Sequence, residues 1–228
     1  MARLQLLSEK GEAMAKALVT GFEPFGGDSV NPALEAVKQL PSTIAGAQVV
    51  VKEVPTAFER SAQVLEDLMD AEEPDLVLCV GQAGGRAAMS VERVAINLID
   101  ARIPDNDGDQ PLDTPVREDG PDAYFATLPV KSMVKAMHEA GVPAALSYSA
   151  GTYVCNSLMY NALHLAARAK KPVKAGFVHV PFATEQAVDR PASTPTMDIS
   201  CINRALEAGI AAMVTTDEDI HIFMGTIS

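Results

Sequence analysis

The chain has 228 residues, 48% of them hydrophobic and 21% charged, the balance of a packed globular protein. Its net charge of −12 repels phosphate backbones and anionic bilayers, and its Lys and Arg residues are scattered, so neither nucleic acid nor a membrane surface is an expected partner. No apolar run approaches the roughly 18–20 residues that span a bilayer.

Met1 to Glu12 lacks the continuous apolar stretch of a secretion signal, which leaves the cytoplasm as the expected location. Residues 1–15 read as a charged, weakly helical extension. Met14 stands just before the first strand, so this extension is expected to be dispensable. The remainder, 16–228, reads as a single domain because no linker interrupts it.

Ala17 to Thr20 is a short buried strand, and Gly21-Phe22-Glu23-Pro24-Phe25-Gly26-Gly27 a rigid, turn-rich loop. Asn31 caps a helix with Pro32 at its first position. Gln48 to Val54 is a valine-rich strand, and Ala57 to about Ala71 an amphipathic helix. Asp75 to Val80 reads as a strand buried on both faces, running into a loop at Gly81-Gln82-Ala83-Gly84-Gly85. Glu92 to Asp100 alternates like another strand. Residues 102–121, rich in Asp, Pro and Gly, form the longest irregular stretch, and loops of that length are often functional. Helices follow at Val130 to Gly141, about Thr152 to Lys170, and about Met197 to Met213; strands lie between them at Ala144 to Tyr148 and Lys174 to Val180. This alternation predicts a three-layer α/β/α sandwich around a mostly parallel, mixed and twisted sheet, with sites collecting at the carboxyl ends of the strands.

The three cysteines, Cys79, Cys155 and Cys201, are odd in number and far apart, which argues against a disulfide framework, and none forms a Cys-x-x-Cys half-site. Cys79 lies in an apolar strand and Cys201 in an amphipathic helix, where a free thiol behaves as a small hydrophobe. Cys155 falls where a strand turns through Gly151 into a helix. Its sulfur there sits in the first turn, where unpaired N–H groups and the dipole favour thiolate and can hold an oxyanion. A structural cysteine is equally compatible with that position.

Of the four histidines, His138 reads as a solvated residue near a helix end, and His221 as part of a mobile tail. His164 follows Cys155 by nine residues, roughly 900° and about 13.5 Å along one helix, so it cannot serve that thiol. His179 ends an apolar strand at the active edge of the sheet; core residue and base both remain open. Glu92 at the start of a strand is equally compatible with solvation or pairing with Arg93. Gly81-x-x-Gly84-Gly85 lacks dinucleotide spacing, and neither a Gly-x-x-x-x-Gly-Lys loop nor a Gly-x-Ser-x-Gly elbow is present.

Three blocks together resemble the pyroglutamyl peptidase I family of cysteine peptidases. They are Gly21 to Gly27 continuing to Asn31-Pro32; Gly81 to Arg86 with Glu92 to Asn97 and Ala101 to Asn106; and Ser149 to Asn156 with Gly176 to Pro181 and Glu185-Gln186. The resemblance covers roughly residues 17–215 in order. It implies Cys155 as nucleophile, His179 as general base and acid, and Glu92 as the group orienting the imidazole. It implies Phe22 and Phe25 lining a lactam pocket with Gln82 beside it, and Arg102 near the developing oxyanion. Peptides with N-terminal pyroglutamate are the implied substrate, a homotetramer the implied assembly, and no metal or organic cofactor is required. Two features depart from the pattern: Ala183-Thr184 replaces an aliphatic residue and proline, which loosens that turn, and the first fifteen residues have no counterpart. A phosphorylase-like α/β enzyme and a non-enzymatic binding domain remain as other readings.

Overall fold

The computed structural model describes residues 14–226. Apart from Met14 and Ala15, the expected N-terminal extension lies outside the described residues. Strands β1 (Lys16–Phe22), β2 (Thr43–Ile44), β3 (Ala47–Val54), β4 (Leu76–Gln82), β5 (Met89–Glu92), β8 (Ala144–Ser147) and β9 (Lys174–Val180) build one sheet in the order β2-β3-β1-β4-β9-β5-β8. The pairs β1–β3, β1–β4, β4–β9 and β5–β8 are parallel; β2–β3 and β5–β9 are antiparallel. The expected mixed, mostly parallel α/β sheet is therefore present.

Helices α2 (Phe58–Glu72) and α4 (Val154–Arg168) pack on each other, as do α3 (Val130–Glu139) with α5 (Ile199–Thr215) and α5 with α1 (Pro32–Lys38). The two groups enclose the sheet, and β1 and β4 are buried along almost their whole length. Their Val, Leu and Ala side chains meet helices on both sides, which explains why these strands read as continuous apolar runs rather than alternating ones. No described helix is long and apolar enough to cross a membrane.

Several expectations need correction. Glu92 to Asp100 is not one strand: β5 ends at Glu92, and β6 (Val94–Ile96) leaves to pair antiparallel with β7 (Ala123–Phe125). Asn156 explains the departure. Its amide accepts from Ile96 N at 3.0 Å and donates to Ile96 O and Leu98 O at 2.9 and 3.1 Å, so α4 takes over the hydrogen bonding that a sheet neighbour would supply. Gln82 ends β4 rather than opening a loop. The final helix starts at Ile199 behind an Asp198 cap, while Met197 belongs to β11 (Thr196–Met197), which pairs with β10 (Phe182–Ala183). The Ala183-Thr184 turn is held firmly: Ala183 is buried, its N–H donates to Gln186 Oε1 at 2.9 Å, and a 3-10 turn follows over Thr184–Ala187.

Candidate active site

Register decides which side chains share a face. Gly81 of β4 lies opposite His179 of β9, Cys79 opposite Phe177, and Thr20 of β1 opposite Cys79; across β9, His179 faces Ser90 and Phe177 faces Glu92 of β5. Because side chains alternate, Cys79, Gly81, Phe177, His179 and Glu92 point to one side. That side carries the amino end of α4: a methyl group placed on Gly81 would lie 2.9 Å from Cys155 Sγ and 2.8 Å from Phe177 Cζ. The missing side chain of Gly81 is thus the space the sulfur occupies.

Glu92 and His179 are both buried, 0% and 4% exposed, and Glu92 Oε1 lies 2.7 Å from His179 Nδ1. Arg86, on the turn between β4 and β5, donates to the same oxygen at 2.7 Å and to Ser149 O at 3.3 Å. Arg93, one alternative partner of Glu92, lies instead over the Phe125 ring. Burial alone would raise the Glu92 carboxyl, but His179, aided by Arg86, holds it below its usual value. For His179 burial is the leading influence and pushes the imidazole down, only partly offset by Glu92. A neutral imidazole with Nδ1–H on the carboxylate leaves Nε2 free to accept a proton.

Cys155 is half-buried at the second position of α4. Burial pushes its thiol up from 9.0 to about 12, the Glu92 charge adding to this and Arg86 opposing it. Burial thus works against the dipole-stabilised thiolate expected from the sequence. A helix terminus offers about 0.3–2 kcal/mol, whereas that displacement corresponds to about 4 kcal/mol against the anion. Burial favours thiol and neutral imidazole over the ion pair, and the two are not hydrogen-bonded to each other among the described contacts.

The amino end of α4 differs from the other α-helices. Asn31 caps α1 and Asp198 caps α5 within their own segments, Asp105 Oδ2 accepts from Phe58 N of α2, and Asp219 accepts from Lys131 N and Ser132 N of α3. Tyr153 at the start of α4 supplies no side-chain cap, and the Thr152 hydroxyl is turned to Asp100 O at 2.9 Å. Leaving a cap out costs about 1 kcal/mol; the first-turn N–H groups around Cys155 stay available to an oxyanion.

Phe22 is buried against Phe177, ring centroids 6.4 Å apart, and Phe25 lies 6.4 Å from Tyr153, which meets Phe58 edge-on at 5.4 Å. Gln82 is 9% exposed and its Oε1 accepts from Gln186 Nε2 at 2.9 Å. The Glu23 carboxylate is engaged by Thr56 N and Asn106 Nδ2. Arg102 is exposed, with no hydrogen bond or ion pair among the described residues.

The irregular stretch is anchored rather than loose. Asp105 Oδ1 accepts from Asp107 N and Asp109 N, Asn106 Nδ2 donates to Glu23 Oε1 and Pro24 O, Arg60 grips Asp107, and Tyr153 Oη donates to Pro104 O. Residues 104–107 thereby join the Phe25 loop, α2 and the approach to Cys155. The other described histidines stand apart: His164 is buried between Tyr124 and Arg168, His138 is exposed and bonded to Ala144 O, and His221 is exposed. Sequence reasoning gave no role to Arg86, Asp105 and Tyr153; all three stand in the quoted blocks, but only the fold brings Arg86 to Glu92 and ties Asp105 and Tyr153 to α2 and Pro104.

The profile described as pyroglutamyl peptidase matches residues 15–216. The chain belongs to the pyroglutamyl peptidase family. It is 57% identical over 199 residues to a pyrrolidone-carboxylate peptidase of Streptococcus pyogenes serotype M5 (strain Manfredo), covering 87% of this chain and 92% of that one. Among solved structures it resembles pyroglutamyl peptidase I from Bacillus amyloliquefaciens (TM-score 0.89, 41% identity, 92% of this chain and 100% of that one). It also resembles pyrrolidone carboxyl peptidase from Thermococcus litoralis (TM-score 0.88, 40% identity, 92% and 99% covered). The chain is therefore an enzyme, a peptidase of the hydrolase class, which sets aside the phosphorylase-like and non-enzymatic readings.

Proposed function

We propose that this family member releases pyroglutamate from peptide N-termini, with Cys155 as nucleophile, His179 as general base and acid, and Glu92 orienting the imidazole. The observation that carries the assignment is the buried Glu92–His179 contact of 2.7 Å on the sheet face where Gly81 makes room for the Cys155 sulfur. His179 Nε2 takes the thiol proton as Sγ attacks the pyroglutamyl carbonyl, and first-turn N–H groups of α4 receive the oxyanion. The imidazolium then protonates the departing amine. Water, deprotonated by His179, cleaves the thioester to free pyroglutamate and thiol. Burial, which raises the thiol, favours proton transfer during attack over a preformed thiolate.

Pyroglutamate is a neutral lactam without an α-amine, so its site needs apolar faces and paired amide bonds, not a carboxylate. Phe22 and Phe25 supply the faces, Gln82 is read as a polar group beside the ring, and Arg102 as a residue near the oxyanion. The engagement of Glu23 by Thr56 and Asn106 supports this, because it keeps that carboxylate from competing for a charged N-terminus. Unpaired lactam-binding groups would penalise other residues strongly. We further read residues 16–228 as one functional unit acting in the cytoplasm as a homotetramer, a state that light scattering tests.

A pyroglutamyl anilide assayed beside alanyl and prolyl anilides tests the substrate. Cys155→Ser should abolish turnover while Cys79→Ser and Cys201→Ser retain most of it. Loss of activity to a chelator combined with indifference to thiol alkylation contradicts the assignment.

A further inference from the structure

The Glu92 carboxylate is bonded asymmetrically. Its Oε1 receives both His179 Nδ1 and Arg86 Nη1, each at 2.7 Å, while Oε2 is buried without a partner among the described residues. The nearby Ser147 hydroxyl, opposite Glu92 in the β5–β8 register, is oriented to Ser149 O at 3.3 Å instead. Among the described residues Arg86 is the only Lys or Arg paired with Glu92, and its side chain is 34% exposed, so it links a buried carboxylate to the outer surface. Its second nitrogen reaches Ser149 O, two residues before Gly151, whose left-handed backbone (φ 80°) turns the chain into α4. One guanidinium thus spans the carboxylate behind the imidazole and the turn ahead of the thiol.

We propose that Arg86 is a positioning residue of the reaction, holding Glu92 Oε1 against His179 Nδ1, fixing the Ser149–Gly151 turn relative to it, and keeping the imidazole neutral. This rests on the Cys155–His179–Glu92 reading above. The physical logic is competition for one oxygen. A carboxylate paired only with imidazole stabilises the imidazolium and withdraws the base from use near neutral pH. A permanent cation on the same oxygen removes part of that stabilisation and repels the second positive charge. The charged and titratable groups on the sheet face that carries the imidazole are Glu92 from β5, Arg86 from the β4–β5 turn, Cys155 from α4 and, farther along β4, Cys79, and of these only Arg86 carries positive charge. Its repulsion of the imidazolium is in the expected direction.

The test compares Arg86→Gln and Arg86→Lys with the parent on a pyroglutamyl anilide across pH, with Cys155→Ser as a reference. Arg86→Gln should lower kcat by about 10- to 100-fold with KM nearly unchanged, and move the acid limb of kcat/KM to higher pH. Arg86→Lys should restore the acid limb, because it keeps the charge, but only part of kcat, because one ammonium does not reproduce the fork to Ser149 O. A Gln variant with the parental acid limb, or with its loss confined to KM or melting temperature, overturns the proposal. Should the Gln variant not fold, Arg86→Lys decides: reduced kcat with a parental limb supports it, and parental kcat overturns it. Retained activity in Cys155→Ser would instead overturn the underlying assignment of the nucleophile.

Discussion

Gly81→Ala tests the site at the point where packing and chemistry meet. The glycine has no positive φ, so alanine suits its backbone and the substitution probes space alone. The new methyl would stand 2.9 Å from Cys155 Sγ and 2.8 Å from Phe177 Cζ. The phenyl ring has little room to retreat, because it is 1% exposed and packs on Phe22 and, at 4.7 Å, on the His179 imidazole. An ordinary contact of about 3.7 Å requires the sulfur to move by about 0.8 Å. A displacement of that order at reacting atoms costs about 100-fold in kcat/KM, and overpacking costs about 1–3 kcal/mol of stability. In a chain of this size the latter lowers Tm by about 2–12 °C. Anilide kinetics beside a thermal melt measure both. Activity within about two-fold of the parent would show that Gly81 does not define the space of the thiol, and the placement of Cys155 over the β4–β9 edge would fall.

Other outcomes follow from the same geometry. Asp105→Ala removes the cap of α2 and two hydrogen bonds of its own loop, and should cost about 1–3 kcal/mol in a urea titration. It should also raise KM for the anilide by loosening Tyr153 and the Phe25 loop; an unchanged KM would detach this segment from the pocket. His179 is held below 6.5 in the folded chain by burial, so the unfolded chain binds the proton more strongly and stability falls as pH drops below 6.5. The parent's urea midpoint should therefore approach that of His179→Gln as pH falls through this window, and a gap that stays constant refutes the shift. The acid limb of kcat/KM should for the same reason lie below the ordinary imidazole value.

Much of the fold is legible in the amino-acid order because its signals are local. The unbroken burial of β1 and β4, the Asn31-Pro32 helix start and the Lys174 to Val180 strand each follow from residues within one element. The stretch from Glu92 to Asp100 misleads because its alternation carries no information about which partner satisfies its backbone; Asn156, some sixty residues on, decides that. Cys155 at a helix start and His179 at a strand end are visible as candidates, and the blocks around them point to the family.

Chemistry of side chains taken singly, and the succession of strands and helices, are thus properties of the amino-acid order. The resemblance already implied Glu92 behind the imidazole; only the tertiary structure set their contact, gave Arg86 the same oxygen, and made Gly81 vacate the space for a sulfur. Burial and charge act over a few ångströms between residues distant along the chain, and Glu92 and His179, 87 positions apart, become neighbours only when β5 docks antiparallel on β9.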